Sequence, residues 1–261
     1  MADFEYLKVS QQNHILTITL SRKDKLNAIN TPMIEELQQV IQEVYDLDEV
    51  KGVIIRGDGD KAFVVGADIK EISQLNELNG RKYSETGQEL FSLIENCHKP
   101  VIAAITGYCL GGGLELAMAC HLRIATEEAK FGMPEANVGM IPGFGGTQRL
   151  PKLVGKGKAL ELLMTCDQIS ATEAKAIGLL NTVVSDDDEL TFKCNSLLEK
   201  ITSKAPLAIG MVINCVNAAD GNSETGFQTE SNNFSNCFKS QDFKEGIEAF
   251  VEKREPNFIG E

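Results

Sequence analysis

Apolar and polar residues alternate in HILTITL (14–20), with Leu16, Ile18 and Leu20 on one side and Thr17 and Thr19 on the other. A period of two predicts a strand with one buried face. The polar SQQN just before it can turn a hairpin from YLKV. Beyond Thr31 the period changes. Met33, Ile34, Leu37, Val40, Ile41 and Val44 recur at helical spacing, which predicts a helix with Thr31 as N-cap and Pro32 as its first residue. KGVIIRG and VIAAIT (101–106) are short apolar runs and read as buried strands, and LRIAT as a third. The helical stretch between the first two ends near ENCHKP, where Pro100 is expected to stop it. Further on, Ser170 and Glu173 predict a capping box, and NTVVS a last short strand. From Ser203 onward the pattern is almost entirely helical. Strands alternating with helices predict an α/β layout with parallel strands. The expected division is a core over residues 1–202 and a helical region over 203–261.

Composition narrows the function classes. The chain has 261 residues, room for one large domain or a domain with a small appendage. No run approaches the ~18 apolar residues of a membrane span. MADFEYLKVS carries two acids and no apolar core, so it does not read as a secretory leader. A net charge of -13 argues against a nucleic-acid surface, although a few well-placed lysines can still hold a small anion. The seven cysteines are widely spaced with no CxxC pair, so most read as small core residues of a reduced, cytoplasmic protein.

Several chemistries lack their local signature. There is no GxSxG for a nucleophile elbow and no GxxxxGK[ST] for a P-loop. GFGGTQ has glutamine where a dinucleotide fingerprint needs glycine. The three histidines are too scattered for a metal motif. His121, after an apolar helix, reads as a solvated or capping residue.

The informative stretch is GYCLGGGLELAMAC (107–120). Gly111, Gly112 and Gly113 follow a strand and precede a helix. The first N–H groups of a helix have no partner within it and sit at its positive end. One of them is well suited to hold an oxyanion. Glu115 lies about a turn further in, among apolar residues that raise a carboxyl pKa, and such a group suits proton transfer. Glu135 opens a second glycine-rich loop in FGMPEANVGMIPGFGG. Gly66-Ala67-Asp68, after another buried run, offers a second backbone donor. Taken singly, each feature has an ordinary structural reading: a helix-end carboxylate, an exposed loop acid, a tight turn. Together, two glycine turns after buried strands and two loop acids point to an acid/base pair beside an oxyanion hole.

AFVVGADIKE, KPVIAAITGYCLGGGLELAMAC, FGMPEANVGMIPGFGGTQRLPKLVGKGKALELL and FVEKREPNF together resemble the crotonase superfamily, the enoyl-CoA hydratases in particular. The likeness runs from LNAIN to the C-terminus. It implies a spiral of repeated strand-strand-helix units followed by a helical trimerisation region, with trimers that commonly pair into hexamers. It implies an acyl-CoA thioester as substrate, with no cofactor beyond the coenzyme A it carries, and neither nucleic acid nor membrane as partner. The oxyanion hole falls on the N–H groups of Ala67 and Gly112. Glu115 and Glu135 match the two catalytic glutamates. Ala67, Asp68, Ile69, Lys70 and Gly112 line the thioester site, Lys25 lies near the coenzyme A phosphates, and Lys253 reaches in from a neighbouring subunit. Val64-Val65, His121 and Cys166 depart from the family pattern, the valines in a way expected to narrow the site. Other readings are an enoyl-CoA isomerase, a hydratase of branched substrates such as methylglutaconyl-CoA, or a silent acyl-CoA or RNA binder.

Overall fold

The fold is described by a computed structural model covering residues 4–219, 221 and 223–261. The first three residues of the stretch weighed as a leader lie outside the described residues.

The hairpin is β1 (Leu7–Gln12) and β2 (Ile15–Leu20), followed by α1 (Thr31–Asp46). A spiral follows: β3 (Gly52–Gly57), β4 (Ala62–Val65), α2 (Ile69–Ile72), α3 (Glu77–Glu95), β5 (Val101–Ile105), β6 (Tyr108–Leu110), α4 (Gly112–Ala119), β7 (Leu122–Thr126) and β8 (Lys130–Gly132). Next come α5 (Gly146–Val154), α6 (Lys156–Thr165), β9 (Ile169–Ser170), α7 (Ala171–Ala176), β10 (Thr182–Val184) and α8 (Asp187–Thr202). The chain closes with α9 (Pro206–Ala218), α10 (Ser223–Cys237) and α11 (Gln241–Glu252).

Each turn of the spiral gives one strand to each of two sheets. The larger sheet has the order β1-β2-β3-β5-β7-β10, and the smaller β4-β6-β8-β9. Among the strand pairs of the described residues, only β1–β2 and β8–β9 are antiparallel. Successive turns stack in register: Val53 lies opposite Val101, Val65 opposite Leu110, and Leu110 opposite Gly132. The ends of β4, β6 and β8 are therefore neighbours, and whatever follows each strand is brought to one place. The inner faces of the sheets, with α1, α3 and α4, form the main core, while α8 covers the outer face of the larger sheet through a second cluster around Ile54, Ile102 and Leu198.

The capping box at Ser170 and Glu173 is present as expected. One cap differs from the sequence reading, and one helix ends at ENCHKP as expected but by another stop. Asn30 caps α1, accepting the Met33 N–H at 3.1 Å. Thr31 is unavailable because its hydroxyl and N–H both donate to Glu71, tying α1 to α2. Helix α3 ends at Glu95, well short of Pro100, and Asn96 closes it by bonding back to the Ser92 carbonyl at 2.8 Å. His121 is half-buried rather than solvated, and its ring caps the end of α3. Its Nδ1 accepts the Val101 N–H at 2.9 Å, so Nε2 carries the proton and donates to the Glu95 carbonyl at 3.1 Å. Burial between these partners lowers its pKa and keeps the ring neutral. All seven cysteines are free, and Cys97, Cys109, Cys120 and Cys194 are buried. No helix among the described residues is long and apolar enough to cross a membrane. In α9 to α11 large apolar side chains face outward, Phe227 at 72% and Phe250 at 84% exposure among them.

Candidate active site

The stacked strand ends build two backbone donors. After β4, the Ile29 N–H donates to the Gly66 carbonyl at 2.9 Å and the Asp68 N–H to the Ile29 carbonyl at 2.7 Å. In a trans peptide the carbonyl and the next N–H point in opposite directions. With the Gly66 carbonyl aimed at Ile29, the Ala67 N–H must point away from it, towards the turn after β6. There the Gly111 carbonyl accepts the Glu115 N–H at 2.9 Å, inside α4. By the same geometry the Gly112 N–H points out of the helix start. Among the described residues neither N–H has a protein acceptor. The two turns lie close, since a Cβ added to Gly112 would sit 3.4 Å from the Ala67 nitrogen. Gly66 and Gly111 take φ of +69° and +51°, which a side chain would strain.

Gly113 has a different role. A Cβ there would fall 2.2 Å from the Val64 carbonyl oxygen, so its hydrogen lets α4 lie directly on β4.

Glu115 is 2% exposed. One carboxylate oxygen, Oε1, accepts the N–H groups of Phe144 at 2.8 Å and Gly146 at 2.7 Å. Burial pushes its pKa up to about 7; the Gly146 bond opposes this, the Glu135 charge adds to it, and the Phe144 bond and Arg149 oppose it. Glu135 follows β8, so it arrives on the third stacked turn. Its Oε1 is near enough to Gly111 that a Cβ there would be 2.7 Å away. Its Oε2 is buried and meets no protein donor among the described residues. Burial raises its pKa as well. The two carboxyls line one cavity and the charge of Glu135 raises the Glu115 pKa, so they titrate as a pair.

Both acids and both donors line one cavity of about 1410 Å³. Lys25, Asp68, Ile69 and Lys70 line it too. Lys25 and Lys70 are exposed at its rim. The Asp68 carboxylate is already engaged: it binds Arg22 at 2.9 Å and caps α2 through the Lys70 N–H at 3.0 Å. Its bond to Arg22 is the main reason its pKa is lowered. Asp68 thus anchors the turn that presents Ala67. Lys253 ends α11 in a left-handed conformation and does not line the cavity of its own chain. Of the two valines, Val65 reaches the cavity, whereas Val64 is buried behind it. Cys166 is the left-handed C-cap of α6, away from the cavity.

Sequence reasoning missed the 143–146 loop as the partner of Glu115, and with it the walls of the cavity. Phe144 packs against Tyr83 and Phe91, with ring centres 5.2 Å and 5.5 Å apart. Gly87 makes room for it, since a Cβ there would lie 2.1 Å from the ring. GFGGTQ was the available signal: a glycine loop opening a helix supplies free N–H groups, here for an internal carboxylate.

The family model described as enoyl-CoA hydratase/isomerase matches residues 10–261. The short-chain-enoyl-CoA hydratase of Clostridium acetobutylicum is 42% identical over 247 residues, 94% of each chain. The crotonyl-CoA hydratase of Syntrophomonas wolfei is 42% identical over 257 residues, 98% of each. A crystal structure of enoyl-CoA hydratase from Bacillus anthracis superposes with a TM-score of 0.93 at 38% identity, covering 98% of this chain and all of that one. This chain belongs to the enoyl-CoA hydratase/isomerase family.

Proposed function

We propose that this protein is an enoyl-CoA hydratase that adds water reversibly across the C2=C3 bond of a 2-enoyl-CoA thioester. One observation carries the reading: a buried carboxyl, a half-buried one and two backbone donors unpartnered among the described residues meet in one cavity. The thioester oxygen lies between the Ala67 and Gly112 N–H groups. Glu115 takes a proton from water as the water oxygen bonds to C3. The C2=C3 π electrons shift onto the thioester as an enolate, whose charge the two donors hold. Glu135 then delivers its proton to C2, giving the 3-hydroxyacyl-CoA, and solvent exchange restores the pair. Removing one donor of this kind typically costs ~10²–10³ in rate. No metal or redox group is required, since the donors supply the electrostatic stabilisation that a Lewis acid would otherwise give.

The names of the relatives support a short acyl chain, and the reaction fits the breakdown of fatty acyl thioesters. Free cysteines throughout support a reducing, cytoplasmic setting. The outward apolar side chains of α9 to α11 support assembly of residues 203–261 into a trimer or a pair of trimers. Lys25 and Lys70 at the rim suit the coenzyme A phosphates, and in such an assembly Lys253 can reach a neighbour's site. Hydration uses two acid/base groups, whereas moving a double bond along the chain needs only one, so the pair favours hydration over isomerisation. The test is loss of enoyl-thioester absorbance across C4 to C16 substrates. Turnover highest at C4 is expected, and no turnover at any length would overturn the reading.

A further inference from the structure

Glu115 is held by the N–H groups of Phe144 and Gly146, so its position is only as good as the turn that carries them. That turn is held by an ion pair. Arg149, on the first turns of α5, is 8% exposed. Its Nη1 donates to the Phe144 carbonyl at 3.0 Å, and its Nη2 to Glu95 Oε2 at 2.7 Å. The guanidinium lies directly on Gly145, where a Cβ would be 2.3 Å from Nη1. Gly145 also takes φ of +106°, so a side chain there is opposed on two counts.

Glu95 is itself fixed. Its backbone carbonyl accepts His121 Nε2 at 3.1 Å and Asn217 Nδ2 at 2.7 Å, from the start of β7 and from α9. A planar guanidinium bonded at two ends sets both the distance and the angle of what it joins. The path therefore runs from the end of α3 through Arg149 to the Phe144 carbonyl. It crosses the same turn to the two N–H groups that hold Glu115.

A largely buried arginine in an ion pair is weak evidence of a stabilising purpose, because well-packed apolar residues often serve stability as well or better. Here the charge also faces an ionisable carboxyl. The titratable and charged groups that face Glu115 are Glu135 from the turn after β8, Tyr83 from α3, and Arg149 from α5. Arg149 is the one positive group among these.

We propose that Arg149, clamped by Glu95, is a positioning residue for Glu115: it fixes the Phe144–Gly146 turn and supplies the positive charge that favours the working carboxylate. This rests on the reading of Glu115 as the group that activates water.

The test compares Arg149→Met, Arg149→Lys and Glu95→Gln with the wild-type protein on crotonyl-CoA. In R149M, kcat is expected to fall about 10²-fold with KM little changed, the effect of a small misplacement at the reacting centre. The acidic limb of the rate profile should move to higher pH, because loss of the positive charge favours protonated Glu115. In R149K the limb should return towards the wild type while kcat stays low, since lysine restores charge without the two-ended fork. E95Q keeps the charge and loosens the clamp, so kcat should fall without an upward move of the limb. A merely structural arginine would change unfolding and leave the limb in place. Folded R149M with wild-type kcat and limb overturns the proposal. If R149M does not fold, E95Q with wild-type kcat overturns it. Infrared titration of the Glu115 carboxyl band, assigned with E115Q, gives the same pKa comparison without turnover. A protein inactive on every enoyl-CoA would sink the hydratase reading while that titration still decides the role of Arg149.

Discussion

Glu115→Gln should stabilise the protein, and only at the pH where Glu115 is charged. Glu115 has its pKa raised by burial from 4.5 to about 7. In the unfolded chain it ionises near its ordinary value. Between these limits the unfolded state binds fewer protons than the folded one. Stability therefore falls as pH rises through this window, and the loss is complete above about 7. A displacement of roughly 2.5 pH units corresponds to about 3 kcal/mol. Glutamine carries no charge at any pH, and its amide oxygen can accept both N–H groups that Oε1 accepts. The E115Q and wild-type proteins should thus be nearly equal near pH 4.5 and differ by about 3 kcal/mol at pH 8.5, or about 6–12 °C in melting temperature for a chain of this size. The assay is denaturant unfolding at both pH values and at fixed protomer concentration, because assembly contributes to apparent stability. Repeating it in an E135Q background separates the share that comes from the coupled partner. A gap that is flat across pH, or one that favours the wild type at pH 8.5, would refute the placement of an ionisable Glu115 in a desolvated site.

Three further outcomes follow from the same structure. Gly112→Pro removes one oxyanion donor at a first helical position, where proline is tolerated, so turnover should collapse while circular dichroism and assembly persist; normal turnover would place the donor elsewhere. Cys166→Gly relieves a left-handed residue at φ of +59° and should stabilise the protein by about 1 kcal/mol in denaturant titration without changing kcat, whereas destabilisation would show that the thiol contributes packing that outweighs the strain. Light scattering should report a trimer or hexamer at micromolar concentration, and a stable monomer would contradict the role given to α9 to α11.

Much of the larger sheet was legible because its strands are long enough to show a pattern. β2 alternates over six residues, and β3 and β5 are apolar runs bounded by glycine or proline. The smaller sheet was not legible as a sheet. β6 and β8 have three residues each and β9 two, too few for any period to emerge. Yet this sheet places the site, since its stacked ends gather Ala67, Gly112 and Glu135. Those residues were found through glycine turns and misplaced acids, features that local chemistry marks without the fold. GFGGTQ marked free N–H groups at a helix start, but their pairing with Glu115 was not legible, because Phe144 and Gly146 act through backbone N–H groups, which every residue but proline carries. Arg149 was hidden for a related reason. A lone arginine in GTQRL reads as surface charge until the end of α3 brings Glu95 to it. The cap of α1 moved by one residue because Thr31 is claimed by Glu71, a contact 40 residues away in sequence.

The central claim is that Glu115 and Glu135 work as a pair on one water. It is tested most directly by giving wild-type, E115Q, E135Q and doubly substituted protein both crotonyl-CoA and a 3-enoyl-CoA, and identifying the products by mass. General acid/base groups contribute about 10²–10⁴ in rate. Each single variant should lose at least that much hydration with substrate binding little changed. The double variant should lose less than the product of the two, because residues acting as a unit are not additive. Near-full hydration by E135Q, with conversion of 3-enoyl to 2-enoyl-CoA dependent on Glu115 alone, would contradict the account and make the protein an isomerase.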